Sequence, residues 1–373
     1  MVIKNATVLT DNFSFKKADV KIQNEKIIDI SDNIEASDFY DAKGCYLVPG
    51  FVDAHTHGCV GFDTCDANQE GYEKMAEFYA SKGVTSFLFT TMTLAKDELI
   101  SILSAIDNSL SKSHRGAIPR GVYLEGPFIS ETKKGAQDAK YIAKPSREFF
   151  DELNLACGNR IRVVTVAPEA EGTCEFVSYA SRICNVSIAH TDANFEEALS
   201  AIKHGASNIT HLFNAMPPLH HRNPGVIGAG FDCENVGLEM ICDGIHLNPA
   251  IIRSVFKLAE DRVVLISDSM MASGLSDGKY SLGGQEVFVK DKVARLESGT
   301  IAGSASNLHD CVKNCIAFGI KPEIAIKSAT INPAKLIGMD KEIGSIAVGK
   351  RADLVILDGD FDIRDVFIGG EKF

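Results

Sequence analysis

From residue 49 to about residue 268 the apolar positions follow one repeating theme: a short β-rich apolar run, a polar or glycine-bearing loop, then apolar residues at helical spacing. Eight such runs stand out, at 46–53, 86–91, 120–125, 162–167, 186–190, 208–211, 236–242 and 263–268. The spacing predicts helices over 72–82, 96–111, 196–204 and 249–260, which lie between runs. Strands alternating with helices imply a parallel sheet, and eight repeats imply a closed (β/α)8 TIM barrel of the α/β class. Beyond the eighth run, 280–282, 287–290 and 293–296 read as a small hairpin insert, 307–318 as a helix, and the barrel closes near Leu336.

The two ends have a different rhythm. Residues 2–9, 18–22 and 26–30 alternate polar and apolar like antiparallel strands, as do 352–357 and 365–368. Neither end has enough strands to bury its apolar face alone. Residues 1–48 and 344–373 are therefore expected to join in one small β-sandwich, with a barrel catalytic domain, 49–343, inserted between them.

Composition agrees with a large and a small folded unit: 373 residues, 45% hydrophobic and 24% charged, exceed the usual size of one domain and leave little room for disorder. No apolar run approaches the roughly 20 residues that cross a bilayer. Residues 1–10 alternate instead of forming a basic-then-apolar signal, so a cytosolic protein without a membrane partner is expected. Ten cysteines without a CxxC pair fit reduced, packed thiols better than disulfides or a zinc–cysteine site. A net charge of −12 without a long basic run counts against nucleic acid as a partner. An anionic small substrate would need a local basic pocket.

The strongest chemical signal is Pro-Gly-Phe-Val-Asp-Ala-His-Thr-His-Gly at 49–58, where His55 and His57 follow the first run. Alternate residues of an extended segment face one side, so the two imidazoles form half of a site for zinc, iron or a similar metal. Further ionisable residues recur at the carboxyl ends of later runs: Glu125 in Leu-Glu-Gly-Pro, His190 in Ala-His-Thr-Asp, His211 in Thr-His-Leu-Phe-Asn-Ala-Met and Asp268 in Ile-Ser-Asp-Ser. His246 follows the seventh run in Asp-Gly-Ile-His. Barrel enzymes build their active sites on that face from several strand ends, and chance placement of so many such residues there is improbable. Arg222, in Leu-His-His-Arg-Asn-Pro-Gly after the sixth run, marks the best local basic patch; its guanidinium fork suits phosphate oxygens, although an exposed loop arginine is the plainer reading. Cys59 is either a redox-sensitive neighbour of the metal or a small packed side chain.

Taken in order, His-x-His, Leu-Glu-Gly-Pro-Phe, His-Leu-Phe-Asn-Ala-Met, Arg-x-Pro-Gly, Asp-Gly-Ile-His and Ser-Asp resemble the N-acetylglucosamine-6-phosphate deacetylases of the amidohydrolase superfamily, over essentially the whole chain. The resemblance implies that Glu125, His190 and His211 hold a principal metal, and that His55 and His57, with Glu125 bridging, hold a second. It implies contacts to a sugar phosphate from Ala136, Asn214, Ala215, Arg222, Asp243, Gly244, Ile245, His246, Ile301, Ala302 and Gly303. It also implies one or two divalent metals per chain, zinc or iron ahead of manganese, cobalt or nickel, and a homodimer whose partner chain helps to bind phosphate. One departure is Gln137, where many relatives carry histidine; a neutral amide donates and accepts hydrogen bonds without titrating near neutrality.

Amide hydrolysis needs an activated water, a stabilised oxyanion and a protonated leaving amine. A metal would serve the first two, with Asp268 as general base and then acid, and His246 as a second donor. Acetate and glucosamine 6-phosphate are the expected products, without nucleotide or redox cofactor. Two other readings share these features: an amidohydrolase acting on a cyclic amide or nucleobase, and a non-catalytic scaffold that kept the barrel. The first commonly carries a carboxylated lysine, and no lysine ends the third to fifth runs; the second would be expected to have lost ligands that are all present.

Overall fold

The computed structural model describes the whole chain, Met1–Phe373. Eight parallel strands hydrogen-bond side by side in chain order: Phe51–Asp53, Val84–Thr91, Ile118–Leu124, Ile161–Val166, Asn185–Ile188, Ala206–Ile209, Gly237–Ile241 and Val263–Ile266. The eighth meets the first just beyond their carboxyl ends. Thr56 and Ser269 form a parallel bridge there, the Asp268 amide donates to the His55 carbonyl at 3.0 Å, and the His57 amide donates to Ser269 at 2.8 Å. The seam that closes the barrel is thus the segment that carries His55, His57 and Asp268.

Parallel strands covered on both faces read as unbroken apolar runs, and Val84–Thr91 is buried at every position. Alternate residues divide between two cores. Phe87, Phe89, Val122, Leu124, Val164 and Leu265 join the large core beneath the helices. Leu88, Tyr123, Val163, Val264 and Ile266 join a smaller cluster, which must fill the barrel interior because the strand period of two sends successive side chains to opposite faces. By the same alternation Glu239, between Leu238 and Met240 of the outer core, points inward.

The expected helices form at Gln69–Ser81, Lys96–Leu110, Phe195–His204, Pro249–Ala259 and Leu308–Ala317, with Asn68, Asn194, Asn248 and Asn307 capping four of them. Arg147–Ala156, Thr173–Ala180 and Gly225–Asp232 are helices that periodicity did not single out. The insert is a three-stranded antiparallel meander, Gly278–Leu282, Gln285–Lys290 and Val293–Leu296. No helix is long and apolar enough to cross a membrane.

The N- and C-terminal strands share one hydrogen-bonded sheet with its own apolar cluster of 14 buried residues. The sheet is mixed, where alternation suggested antiparallel pairing throughout. Val2–Leu9 runs antiparallel to Phe15–Gln23 but parallel to Tyr46–Pro49, which in turn pairs antiparallel with Leu354–Leu357. The run 46–53 therefore serves two sheets, Tyr46–Pro49 in this one and Phe51–Asp53 in the barrel. The chain passes between them at Gly50, where a Cβ would fall 2.1 Å from Thr85 Oγ1, so only glycine fits.

Candidate active site

Strand ends bring the expected ligands together around Glu125, which directly follows the third barrel strand and is 3% exposed. Its Oε1 lies 3.1 Å from His190 Nε2 and 3.1 Å from His211 Nε2, and those two nitrogens are 3.2 Å apart. Its Oε2 lies 3.2 Å from His57 Nε2, while His55 Nε2 stands 3.5 Å from Oε1. Asp268 Oδ1 closes the group at 3.2 Å from His57 Nε2 and 3.5 Å from His55 Nε2. His190, His211 and Asp268 all adopt left-handed backbone, with φ of 43°, 30° and 48°. Such backbone costs a non-glycine residue on the order of 1–3 kcal/mol and recurs where function fixes geometry.

These residues fit a divalent transition metal. Around an ion with ligand bonds of about 2.0–2.1 Å, tetrahedral geometry separates neighbouring donor atoms by roughly 3.3 Å. The Glu125–His190–His211 triangle has edges of that length, and its facing imidazole nitrogens cannot both hold protons between them. A second group, His55, His57 and Glu125, shares the carboxylate, and His55 Nε2 is buried without a hydrogen-bond partner. Imidazole and carboxylate donors without thiolate suit zinc, iron and their neighbours. Cys59 belongs to neither group; its buried sulfur faces the Met75 carbonyl and burial pushes its thiol up, so it is a packed side chain.

The electrostatics describe a site built to attract positive charge. Burial opposes protonation of His55 and His57, yet it is outweighed by Glu125, Glu239 and Asp268 at His55, which is raised well above its usual range, and by Asp268 and Glu125 at His57, pushed up to about 9. Burial disfavours the Glu125 and Asp268 carboxylates, but the surrounding imidazoles hold both below the usual range. Asp268 is therefore held in its ionised form at neutral pH. Burial also opposes protonation of His246, and the Asp243 carboxylate, 2.8 Å from its Nδ1, raises it instead.

A second layer orients the ligands. His190 Nδ1 must donate to the Lys133 carbonyl at 2.9 Å, which leaves Nε2 with its lone pair toward Glu125 and His211. Gln137, 2% exposed, accepts the Thr93 amide at 2.7 Å and so presents its NH2 to Glu125 Oε2 at 2.8 Å. Gln137 thus holds the shared carboxylate. Glu239 Oε2 lies 3.3 Å from His55 Nδ1. Sequence reasoning missed it, since a lone acidic residue inside an apolar run reveals nothing of its partner across the barrel.

Above the ligands opens a cavity of about 700 Å3, lined by His57, Glu125, His190, His211, His246 and Asp268, together with Ala136, Asn214, Ala215, Ile301 and Gly303. Lys133 and Lys134 also line it, a dibasic pair that sequence reasoning passed over. Other expected contacts lie elsewhere. Ala302 is fully buried, Asp243 and Ile245 face a neighbouring cavity, and neither Ala302 nor Gly244 lines the main one. Arg222 lies outside its own chain's cavity, on the exposed loop before Gly225–Asp232, with Nη1 2.7 Å from His221 Nε2.

A barrel whose strand ends gather four histidines, a shared carboxylate and an adjoining aspartate beneath an open cavity defines a metal-dependent hydrolase. The family model described as "Amidohydrolase family" matches residues 46–372. The N-acetylglucosamine-6-phosphate deacetylase of Lysinibacillus sphaericus is 35% identical over 96% of this chain and 94% of its own length. The N-acetylgalactosamine-6-phosphate deacetylase of Escherichia coli O157:H7 is also 35% identical, over 87% of each chain. Among solved structures, an aspartate-to-alanine mutant of the N-acetyl-D-glucosamine-6-phosphate deacetylase of Mycobacterium smegmatis, in complex with N-acetyl-D-glucosamine-6-phosphate, superposes with a TM-score of 0.93 at 29% identity, covering 100% of this chain and 98% of that one. The chain belongs to the amidohydrolase family and, within it, to the N-acetylglucosamine-6-phosphate deacetylases.

The carboxylates that raise His55 and His57 favour protons where a cation would sit, so cation binding should displace them. With His57 pushed up to about 9, zinc added at pH 8 should release protons, and its apparent affinity at this group should rise with pH through the range in which His57 loses its proton. His55→Gln with His57→Asn should lower the zinc stoichiometry by about one per chain and shrink the release. Metal analysis alongside a pH-stat titration measures both. A wild-type protein that never exceeds one equivalent in excess zinc would contradict two positions.

Proposed function

We propose that the chain hydrolyses the N-acetyl amide of N-acetylglucosamine 6-phosphate, giving acetate and glucosamine 6-phosphate, in amino-sugar catabolism. The observation that carries this reading is the placement of an ionised Asp268 beside the Glu125-centred ligand groups at the floor of a cavity large enough for a sugar phosphate, in a chain of this family. A bound divalent cation, held by Glu125, His190 and His211 and joined by a second at His55, His57 and Glu125, would supply the Lewis acidity that amide hydrolysis needs.

The rest falls to the chain's own residues. Asp268, ionised and 3.2 Å from His57, takes a proton from the attacking water as its oxygen bonds to the acetyl carbon. The same carboxyl then delivers that proton to nitrogen as the C–N bond breaks, so the amine leaves neutral. His246, its Nδ1 bound to Asp243, has Nε2 free to donate to the acetyl oxygen or a sugar hydroxyl. Asn214 and Ala215, Ala136, and Ile301 with Gly303 line the cavity where the sugar would lie. Arg222 is exposed and outside that cavity; in the homodimer that the family resemblance implies it would reach the phosphate in the partner's site, with Lys133 and Lys134 as the cavity's own cations.

A second reading, the N-acetylgalactosamine 6-phosphate epimer, rests on the relative of that activity at the same 35% identity. Acetate release from purified, metal-loaded protein on both phosphates, with dihydroorotate as a ring-opening control, tests the assignment. Faster turnover of the galactosamine epimer would move the substrate, and no release from either would overturn the reaction.

Asp268→Asn should lower turnover at least ~100-fold with the fold retained, since asparagine is nearly isosteric but no base. Near-normal turnover at unchanged metal content would remove Asp268 from proton transfer. Arg222→Ala removes one charge-assisted phosphate contact, about 1.5–3 kcal/mol, and should lower kcat/KM on the phosphorylated sugar about ten- to more than a hundredfold. The slow reaction on unphosphorylated N-acetylglucosamine should hardly change. Equal loss on both would show that Arg222 supports its loop, and no loss on either would leave the phosphate to Lys133 and Lys134.

A further inference from the structure

Glu239 is fully buried in the seventh barrel strand, Gly237–Ile241, with its side chain inside the barrel and no part of it in the substrate cavity. Interior positions of such barrels are normally filled by branched apolar residues, which would pack there without the cost of removing a carboxylate from water. No lysine or arginine lies within ion-pair distance. The only ionisable side chain that meets Glu239 as an ion-pair partner is His55, with Nδ1 3.3 Å from Oε2. Two neutral donors hold the carboxylate in place: Asn208 Nδ2 at 2.8 Å from Oε1, and the Tyr123 hydroxyl at 3.1 Å from Oε1 and 3.4 Å from Oε2. Those donors are themselves fixed, since Asn208 also donates to Ser187 Oγ at 2.8 Å, Ser187 meets Thr210 at 2.6 Å, and Thr210 meets the Tyr123 hydroxyl at 2.7 Å. The ring of hydrogen bonds leaves Glu239 one geometry.

We propose that Glu239 is the positioning residue for the second metal position, fixing the tautomer and orientation of His55 so that its Nε2 lone pair points toward Glu125. An acceptor at Nδ1 obliges that nitrogen to carry the hydrogen, and a ring with hydrogen on Nδ1 offers Nε2 as its ligand atom. The unpartnered, buried His55 Nε2 is the atom so aimed. His55 belongs only to the His55–His57–Glu125 group, so Glu239 acts on that position and leaves Glu125–His190–His211 unaffected. The inference rests on two cation positions and not on the identity of the substrate.

Zinc titration of metal-free protein against a competing chelator tests this without any assay of turnover, so failure of the deacetylase assignment would leave its outcome intact. Wild type is expected to bind two equivalents. Glu239→Gln should weaken the second about 10- to 100-fold, the usual effect of losing such an orienting partner, with the first unchanged. In a His55→Gln background, where the second equivalent is already weakened, Glu239→Gln should add nothing. If Glu239→Gln does not fold, Glu239→Asp, which keeps the charge but withdraws it from His55, should show the same selective loss. Equal weakening of both equivalents, no weakening of the second, additive losses with His55→Gln, or a wild type that binds one equivalent only would each overturn the proposal.

Discussion

The Glu125 carboxylate is the interaction on which the rest of the structure turns. An ionised carboxylate removed from water carries a desolvation cost of several kcal/mol, offset only if opposite charge and donors converge on it. Here four imidazole nitrogens surround it, those of His190 and His211 toward one oxygen, that of His57 toward the other, with that of His55 between, so that a divalent cation held among them would supply the opposite charge. The partners lie 65 and 86 residues away for His190 and His211, so no local segment could assemble the site. A closed barrel does it by making strand ends neighbours irrespective of chain distance, and the hydrogen bonds of its seam are those that set His55 and His57 against Asp268.

Holding five donors at this spacing requires control of the groups behind them. The orienting partners come from more than one element: the Lys133 carbonyl and the Gln137 amide from the stretch after the third strand and the Glu239 carboxylate from the seventh strand, while Asp243 fixes His246 within its own turn. The loop that follows the third strand does two things at once. It orients His190 and Glu125, and through Lys133, Lys134 and Ala136 it forms one wall of the cavity, with Gln285 of the meander bonded to the Ala136 carbonyl. Ligand geometry and the substrate wall are therefore set by one stretch of chain.

Much of this was legible in the sequence because the signals were local. Alternating runs and helical spacings mark the barrel, and His-x-His with Glu125, His190 and His211 at run ends mark the candidate ligands, with Asp268 beside them. What escaped was whatever depends on a partner across the barrel. Glu239 looks like an isolated acid in an apolar strand until His55, Tyr123 and Asn208 surround it. Gln137 was visible as a departure from related sequences, but its role appears only when Thr93 fixes which end of its amide faces Glu125. The apolar run 46–53 hid a change of sheet, because Gly50 reads as an ordinary turn residue and its close approach to Thr85 is a tertiary fact. Arg222 had the right chemistry in a loop that does not reach its own cavity.

The acidity of the chain and an anionic substrate are reconciled at this same point. Net charge at a distance counts for little beyond a Debye length of about 8 Å at physiological salt, so the field at the cavity floor is set by the groups that form it. With neutral imidazole ligands, those groups are the carboxylates of Glu125, Glu239 and Asp268, while Asp243 and His246 form a pair of their own. Counting those three carboxylates alone, one divalent cation would leave the floor negative and two would make it positive. The proposed orienting of His55 by Glu239 would then bear on the proposed recognition of a phosphorylated sugar as well. A second cation would reverse the sign of the charge at the floor, while Lys133 and Lys134 add positive charge on the cavity wall, and the chain can remain acidic everywhere else.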